Sequence, residues 1–409
     1  MAKAAKSAGI GGLWALIGTA AASLAAGAAA GAAASHVAGR KNRRIAREAL
    51  APPPPPKTAQ DFEAEEPGRG RAAQRPEQIP RKGWTDIFWR LGASYFGDRV
   101  GFLAGGVTFF VALSLFPTLG ALVTVYGLFA DPSQAAGRLE LLYSVLPPGV
   151  AGFLAEEMQR LAENSNTELT FTLVWTLLLS LWTANSAVKM LFFSLNVAYH
   201  EVERRHIVRF NLIGLAFTIS GFLAVQMSAV LVVGVPLVLG VFGLAEEWNH
   251  LTLLRWPLLL VIYVAALALA YRIGPCRARA RWRWLVPGAL FAGLLSLGLS
   301  FGFSWYVQTF VRTASYGPLA AMMGFLLWTW LTVQIVILGA QLNAAIEHQT
   351  AVDTTTGPPR PIGERGARVA DSVGPKRGSP AALSFTLRHA EALSDRLLRR
   401  RARRQAERD

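Results

Sequence analysis

From Gly101 to Asn343 long apolar stretches alternate with short polar gaps. Six runs stand out: Gly101–Ala130, Leu169–Asn196, Phe210–Gly243, Leu253–Ile273, Leu285–Val311 and Tyr316–Leu342. Each reaches the length of about 20 residues that a helix rising about 1.5 Å per residue needs to cross a hydrocarbon core of about 30 Å. Hydrocarbon offers backbone groups no water, so such runs must close their hydrogen bonds internally, as helices. Barrel strands would be about 10 residues long and alternating in character, which these runs are not. The pattern predicts an all-α fold, a polytopic membrane helix bundle of six transmembrane helices.

Charge alternates from gap to gap. Residues 36–100 carry 13 Lys and Arg, whereas the gap 131–168 has only Arg138 and Arg160 against six acids. The gap near 200–209 holds Arg204, Arg205 and Arg209; the next holds Glu246 and Glu247. Arg277, Arg279, Arg281 and Arg283 fill the gap 274–284, Arg312 stands alone in the following one, and the tail from 343 holds 13 basic residues. The positive-inside rule then puts both flanks of the six-helix unit, including the C-terminus, in the cytoplasm. The net charge of +15 sits mostly on that side. It implies anionic lipid headgroups at the cytoplasmic face as partners rather than a specific nucleic acid.

The ends differ in kind. Residues 1–50 form an Ala/Gly-rich segment with a basic flank. Within it, Ile10–Ala34 can be read as an additional span, a peripheral segment or a signal peptide. Residues 51–83 open with Pro52–Pro56 and read as a disordered Pro-rich linker, the prolines acting as a spacer or as a ligand for an aromatic groove. The membrane domain follows over 84–348. Its first part, Trp84–Tyr95, reads as an amphipathic helix lying at the inner interface. Residues 349–409 form a basic tail expected to be largely disordered, with Pro380–Arg404 as a surface helix or a solvated charged run. In the gap 131–168, two amphipathic pieces around Pro147-Pro148 suggest a short hairpin.

Chemistry is sparsely written. Cys276 is the single cysteine and none of the six histidines sits in a spaced metal motif, so no metal and no cofactor is expected. His200 and His206 share a loop with Glu201 and Glu203, which reads as a solvated charged turn or as a set of metal ligands. No phosphate loop and no nucleophile elbow occur. The polar residues inside spans are the remaining signal. Lys189 has two readings, a stem snorkelling to the headgroups or an inward functional charge. Asn185, Lys189 and Asn196 fall near one helix face. Gln334 and Gln341 share a face of the last span, close to Asn343. These six are the candidate substrate pathway, and interhelical hydrogen bonding is the competing reading. Pro117 predicts a kink, structural or site-forming. The Gly101/Gly105 and Gly298/Gly302 pairs have the spacing that lets helices approach closely.

Three segments carry a resemblance. They are Phe102-Leu-Ala-Gly-Gly-Val-Thr-Phe-Phe-Val-Ala-Leu-Ser-Leu-Phe-Pro117, Trp182-Thr-Ala-Asn-Ser-Ala-Val-Lys189 with Leu195-Asn196-Val-Ala-Tyr199, and Ser315-Tyr316-Gly317-Pro318-Leu319 with Leu338-Gly339-Ala340-Gln341-Leu342-Asn343-Ala344. Over residues 85–348 the chain resembles the YihY/BrkB family of bacterial inner-membrane proteins. The resemblance implies six membrane helices with both termini inside and little defined biochemistry. Members have been described as virulence-associated or transport proteins and some as a ribonuclease. Gln341 departs from the family's common Glu, so a proton or cation site built on that acid does not carry over.

Together these readings point to a non-enzymatic integral protein of the inner membrane that moves or binds a small solute, ion or lipid. The alternative is a scaffold or envelope-associated protein that recruits partners through its tails. Either could form an oligomer. A ribonuclease finds no support in the residues.

Overall fold

The computed structural model describes residues 57–129, 166–231, 249–310 and 317–382. Six long helices correspond to the six apolar runs. They are α3 (Val100–Phe129), α4 (Asn166–Ala198), α5 (Ile207–Ala229), α6 (Asn249–Ile273), α7 (Trp282–Phe310) and α8 (Gly317–Glu347). The shortest has 23 residues, about 35 Å at 1.5 Å per residue. Two shorter helices precede them: α1 (Ala59–Glu65) and α2 (Arg81–Gly97). Five helices are long and apolar enough to span a membrane; α2 and the start of α3 pass the same test only as a pair, bent by 60° between them. The bend falls at Asp98-Arg99, where Arg99 adopts a left-handed φ of 54°, a conformation costly for a side chain with Cβ. The fold is a polytopic helix bundle, as the apolar pattern predicts, and the protein is a multi-pass membrane protein. The only strand-like pairing among the described residues is an isolated bridge between Ala280 and Thr355.

The helices pack in the order α5–α4–α3–α8–α7–α6, and α8 also touches α2 and α4. Small residues let α7 and α8 meet closely. A Cβ on Gly288 would lie 2.2 Å from the Gly339 carbonyl oxygen, and one on Gly339 would lie 2.7 Å from that of Gly288. The Gly105, Gly298 and Gly302 positions expected to mediate close approach face open space instead, and Gly101 meets only ordinary contacts. Glycine spacing alone does not select which helix face is buried. Pro117 lies inside α3, which remains helical through it.

Buried apolar side chains concentrate toward one end of the bundle. Val100, Ala104, Phe192, Leu195, Tyr199, Tyr271, Leu285, Ile337 and Ala340 form one cluster. Farther along the same helices, Leu178, Phe222, Leu223, Phe301, Trp305 and Met323 are exposed, the surface a helix presents to lipid. The packed end is also the basic end. It brings together α2, the α4–α5 turn, the α6–α7 turn and the chain beyond α8.

At this end two sequence expectations are corrected. Residues 57–83 and 349–382 are folded against the bundle rather than disordered. α1 starts on a capping box in which Thr58 Oγ1 accepts from the Asp61 N–H while Asp61 Oδ2 accepts from the Thr58 N–H. Arg71 is 1% exposed and donates to Glu66 Oε2 and to the carbonyls of Gln349 and Gly374. The Ala351 N–H returns a bond of 2.7 Å to the Arg71 carbonyl. Arg90, expected at a lipid interface, is buried and donates to the carbonyls of Ala345 and Pro375 and to Gln349 Oε1. Arg365 donates to three carbonyls, those of Arg360, Ala351 and Ala370. Asp371 accepts from the backbone N–H groups of Gly363, Arg365, Gly366 and Ala367. Segment 349–382 is thus a strap held by side chain to main chain bonds. Its polar composition lacks the apolar periodicity that announces order, but a fixed surface of complementary donors and acceptors supplies it. The N-terminal segment 1–50, the two amphipathic pieces around Pro147-Pro148 in the gap 131–168, and all but the first three residues of Pro380–Arg404 lie outside the described residues.

The central fastening is an ion pair. Arg277 donates to both carboxylate oxygens of Glu347, at 3.2 and 2.5 Å, and the two side chains are 2% and 0% exposed. Thr354 Oγ1 donates to the same carboxylate and the Arg277 guanidinium lies 4.8 Å from the Tyr199 ring. Glu347→Gln should lower unfolding stability in detergent by about 3–5 kcal/mol, because it leaves a buried cation uncompensated. The double change Arg277→Met with Glu347→Leu should recover much of the loss. Equal stability of Glu347→Gln and the natural protein in chemical denaturation would contradict this account.

Candidate functional site

The polar residues expected along a pathway separate into three groups once their partners are known. The first lies between α4 and α5. Lys189 is half-buried and its Nζ donates to Asn211 Oδ1 at 3.0 Å. Asn211 Nδ2 in turn donates to the Ile207 carbonyl in the first turn of α5, which places the ammonium toward the basic end. Asn185, one helical turn away, is buried and its Oδ1 has no hydrogen-bond partner. Gly214 of α5 makes room for this pair, since a Cβ there would lie 2.5 Å from Asn185 Oδ1 and 3.3 Å from Lys189 Cγ. No salt bridge joins Lys189 to an acid among the described residues. A cation in a largely apolar segment with an amide as its polar partner retains capacity for an anion.

Asn196 belongs elsewhere. It is buried at the end of α4, donates from Nδ2 to Glu203 Oε2 at 2.9 Å and accepts from the Cys276 N–H at 2.6 Å. It ties the α4–α5 turn to the α6–α7 turn. Glu203 is also held by Arg205, whose guanidinium donates onward to the carbonyls of Ile273 and Gly274 at the C-terminus of α6. A cation at that helix end complements the dipole and fills orphan carbonyls. Burial alone would raise the Glu203 pKa, but the bonds from Arg205 and Asn196 and the Arg205 charge bring it down to about 2. His200 and His206, sharing this loop, do not form a metal cluster with its acids among the described residues. His206 instead caps α5, its Nδ1 accepting from the Val208 N–H.

The third group lines α8. Gln334 Oε1 accepts from the Tyr95 hydroxyl of α2 at 2.5 Å. Gln341, 2% exposed, donates from Nε2 to Asp98 Oδ2 at 2.8 Å, at the α2–α3 bend. A carboxyl group could replace that donor only when protonated. Asn343 turns the other way, toward α7. Its Oδ1 accepts from the Gly288 N–H at 2.7 Å and its Nδ2 donates to the Leu285 carbonyl at 2.8 Å. Those two groups flank Pro287, which interrupts the backbone ladder of α7. The bond that Pro287 cannot make would run to the Arg283 carbonyl; the Asn343 amide instead engages backbone groups on either side of the proline and ties α8 to this stretch of α7. No described hydrogen bond joins the Asn185/Lys189 pair to the α8 glutamines.

Sequence reasoning passed over Arg71, Asp86, Arg90, Glu347 and His348. Arg71, Asp86, Arg90 and Glu347 are marked by burial, which a solvated-tail reading of the flanks hides, while His348 is half-buried beside them. His348 follows α8. It pairs with the Ser372 hydroxyl at 3.0 Å through Nε2 and accepts the Gly374 N–H at its carbonyl. Burial first, and then the charges of Arg90, His200 and Arg71, push its pKa down to about 3. Burial also disfavours the Arg277 cation, yet the Glu347 carboxylate outweighs it and holds the guanidinium above its ordinary pKa.

Comparison with known proteins adds to this geometry. The family described as "Virulence factor BrkB" matches residues 93–362. A Bacillus subtilis protein named "Putative ribonuclease-like protein YfkH" is 28% identical over 260 residues, 59% of this chain and 88% of its own length. A UPF0761 membrane protein of Methylibium petroleiphilum is 27% identical over 283 residues, 68% of this chain and 66% of its own. One from Haemophilus influenzae is 23% identical over 287 residues, 66% of this chain and 97% of its own. No solved structure matches the chain.

The neutral His348 makes stability fall on acidification. Its folded pKa of about 3 lies below the unfolded value of about 6.5. Its contribution is therefore complete above pH 6.5 and lost progressively as pH falls from 6.5 towards 3. The Glu203 contribution has the same sign but is lost only as pH falls from the ordinary carboxylate value of 4.5 down to about 2. His348→Gln should flatten the decline of melting temperature between pH 6.5 and about 5. An unchanged slope in that window would exclude His348 as its source.

Proposed function

This chain belongs to the BrkB family of membrane proteins, and from that premise we propose that it binds an anionic solute or lipid headgroup within its bundle, as the recognition step of transport. The observation that carries this reading is Lys189. Its Nζ has the Asn211 amide oxygen as its hydrogen-bond partner and, among the described residues, no carboxylate, in a helix otherwise rich in apolar residues. The unpaired Asn185 Oδ1, one turn away, would accept a hydroxyl or amine of the same ligand. Taking a phosphate or carboxylate there offsets a charge that the fold leaves open.

The arrangement of charge agrees with this direction. The positive-inside rule assigns the basic end to the cytoplasm of a bacterial inner membrane, with the C-terminal strap on that side. The strap and residues 57–83 close over that end, while the Lys189 amine of α4 meets Asn211, one turn into α5. Alternating access would then require the α4–α5 contact at Gly214 to open. The ribonuclease-like wording in one relative's name belongs to that relative and plays no part in this reading.

The test uses the full chain in phosphatidylcholine nanodiscs with two probes, inorganic phosphate and a soluble short-chain phosphatidate. Binding of at least one is expected, weakened about tenfold or more by Lys189→Gln, since a charge-assisted hydrogen bond contributes about 1.5–3 kcal/mol. Binding of the phosphatidate alone would identify a lipid headgroup as the ligand. Retention of full affinity in Lys189→Gln, with normal insertion, would defeat the proposal.

A further inference from the structure

A second site lies on the outer surface, between α6 and α7. An open groove of about 640 Å³ runs between these helices. Leu260, Val264 and Ala268 form one wall and Trp282, Val286 and Leu290 the other. Its lining is wholly apolar, and Val261, Leu269, Val286 and Leu290 are exposed along it. Both helices are long and apolar enough to cross a membrane. Hydrocarbon, not water, is therefore the medium that fills the groove.

One rim of the groove is charged. Arg272, in the last turn of α6, places its guanidinium 4.4 Å from the ring centroid of Trp282, in the first turn of α7. Trp282 lines the groove, so this cation stands directly over its end. Trp and Arg at the ends of spans mark the headgroup level. Three nearby arginines have acceptors within the protein: Arg205 in Glu203, Arg277 in Glu347 and Arg281 in the Thr355 carbonyl. Arg272 shares with Arg283 a buried Nε without a hydrogen-bond partner, and no carboxylate is paired with it among the described residues, but Arg272 is set apart by its place over Trp282 at the groove. A cation–π contact steadies the charge but supplies no acceptor for its N–H edge.

Length agrees with this arrangement. From Leu260 to Arg272 the helix rises about 18 Å at 1.5 Å per residue, close to the depth of one leaflet, about 15 Å for a core of about 30 Å. A molecule filling both parts has an apolar tail one leaflet long and an anionic group at its end. We propose that this groove holds an acyl chain of one anionic phospholipid, with its phosphate taken by Arg272 over Trp282. The site lies on different helices from Lys189 and its occupancy does not depend on that pair. A headgroup without an amine of its own is preferred, since an internal ammonium would compete with Arg272 for the phosphate and repel it.

The test is lipid retention by the full chain in mild detergent, counted by native mass spectrometry after adding phosphatidylglycerol or phosphatidylcholine. One phosphatidylglycerol should be retained about tenfold more tightly than phosphatidylcholine. Arg272→Gln should remove the preference, and Arg272→Lys, which keeps the charge, should preserve part of it. Ala265→Trp, at an exposed position lining the groove, should block retention of either lipid at this site by filling it. Lys189→Gln should leave this retention unchanged, which separates the two sites. Equal retention of both lipids, or phosphatidylglycerol binding that survives both Arg272→Gln and Ala265→Trp, would overturn the assignment.

Discussion

The Arg277–Glu347 pair is the constraint on which the basic end depends. Neither charge could remain buried without the other, since desolvation of a lone guanidinium or carboxylate costs several kcal/mol. Once formed, the pair fixes four things together: the turn between α6 and α7, the last residue of α8 and, through Thr354 and the Tyr199 ring, the strap and the end of α4. The Gly288–Gly339 approach and the Asn343 amide across Pro287 then lock α7 to α8 just inside it. Arg71 and Arg90 extend the same principle outward, each binding main-chain carbonyls that the strap would otherwise leave unpaired.

Polar side chains in the bundle divide by what remains after internal bonding. Asn196, Gln334, Asn343 and Arg205 are engaged with backbone groups or side chains of neighbouring elements, and their first effect is to hold helix ends and turns together. Asn185, Lys189 and Arg272 keep capacity that the described residues do not use, as do Gln341 Oε1 and the Nε groups of Arg90 and Arg283. In hydrocarbon an unused donor, acceptor or charge is costly, so residual capacity is a better guide to ligand recognition than polarity alone.

The expected stripe shows how far periodicity reaches. Asn185 and Lys189 do face one partner, α5, as four-residue spacing implies. Asn196 has a compatible helical phase but lies beyond the apolar part of α4, where loops rather than helices surround it. Gln334 and Gln341 share a face, whereas Asn343, two residues on, necessarily points elsewhere and meets α7. Phase within a helix was legible; the neighbour presented to each face was not. The capping box at Thr58 and Asp61 was a readable local signal of order in a segment whose composition argued against it.

The chain alone determined the six apolar lengths, their helical state and the alternation of basic and acidic gaps, because these follow from helix rise, backbone hydrogen bonding in lipid and the distribution of charge. Tertiary structure decided the order of packing and which glycines lie at close crossings. It also decided that the polar flanks fold. Those outcomes depend on contacts between residues hundreds of positions apart, such as Arg71 with Gln349 and Arg90 with Pro375. Helix propensity, composition and spacing act over a few turns and carry no record of which distant carbonyl a guanidinium will meet.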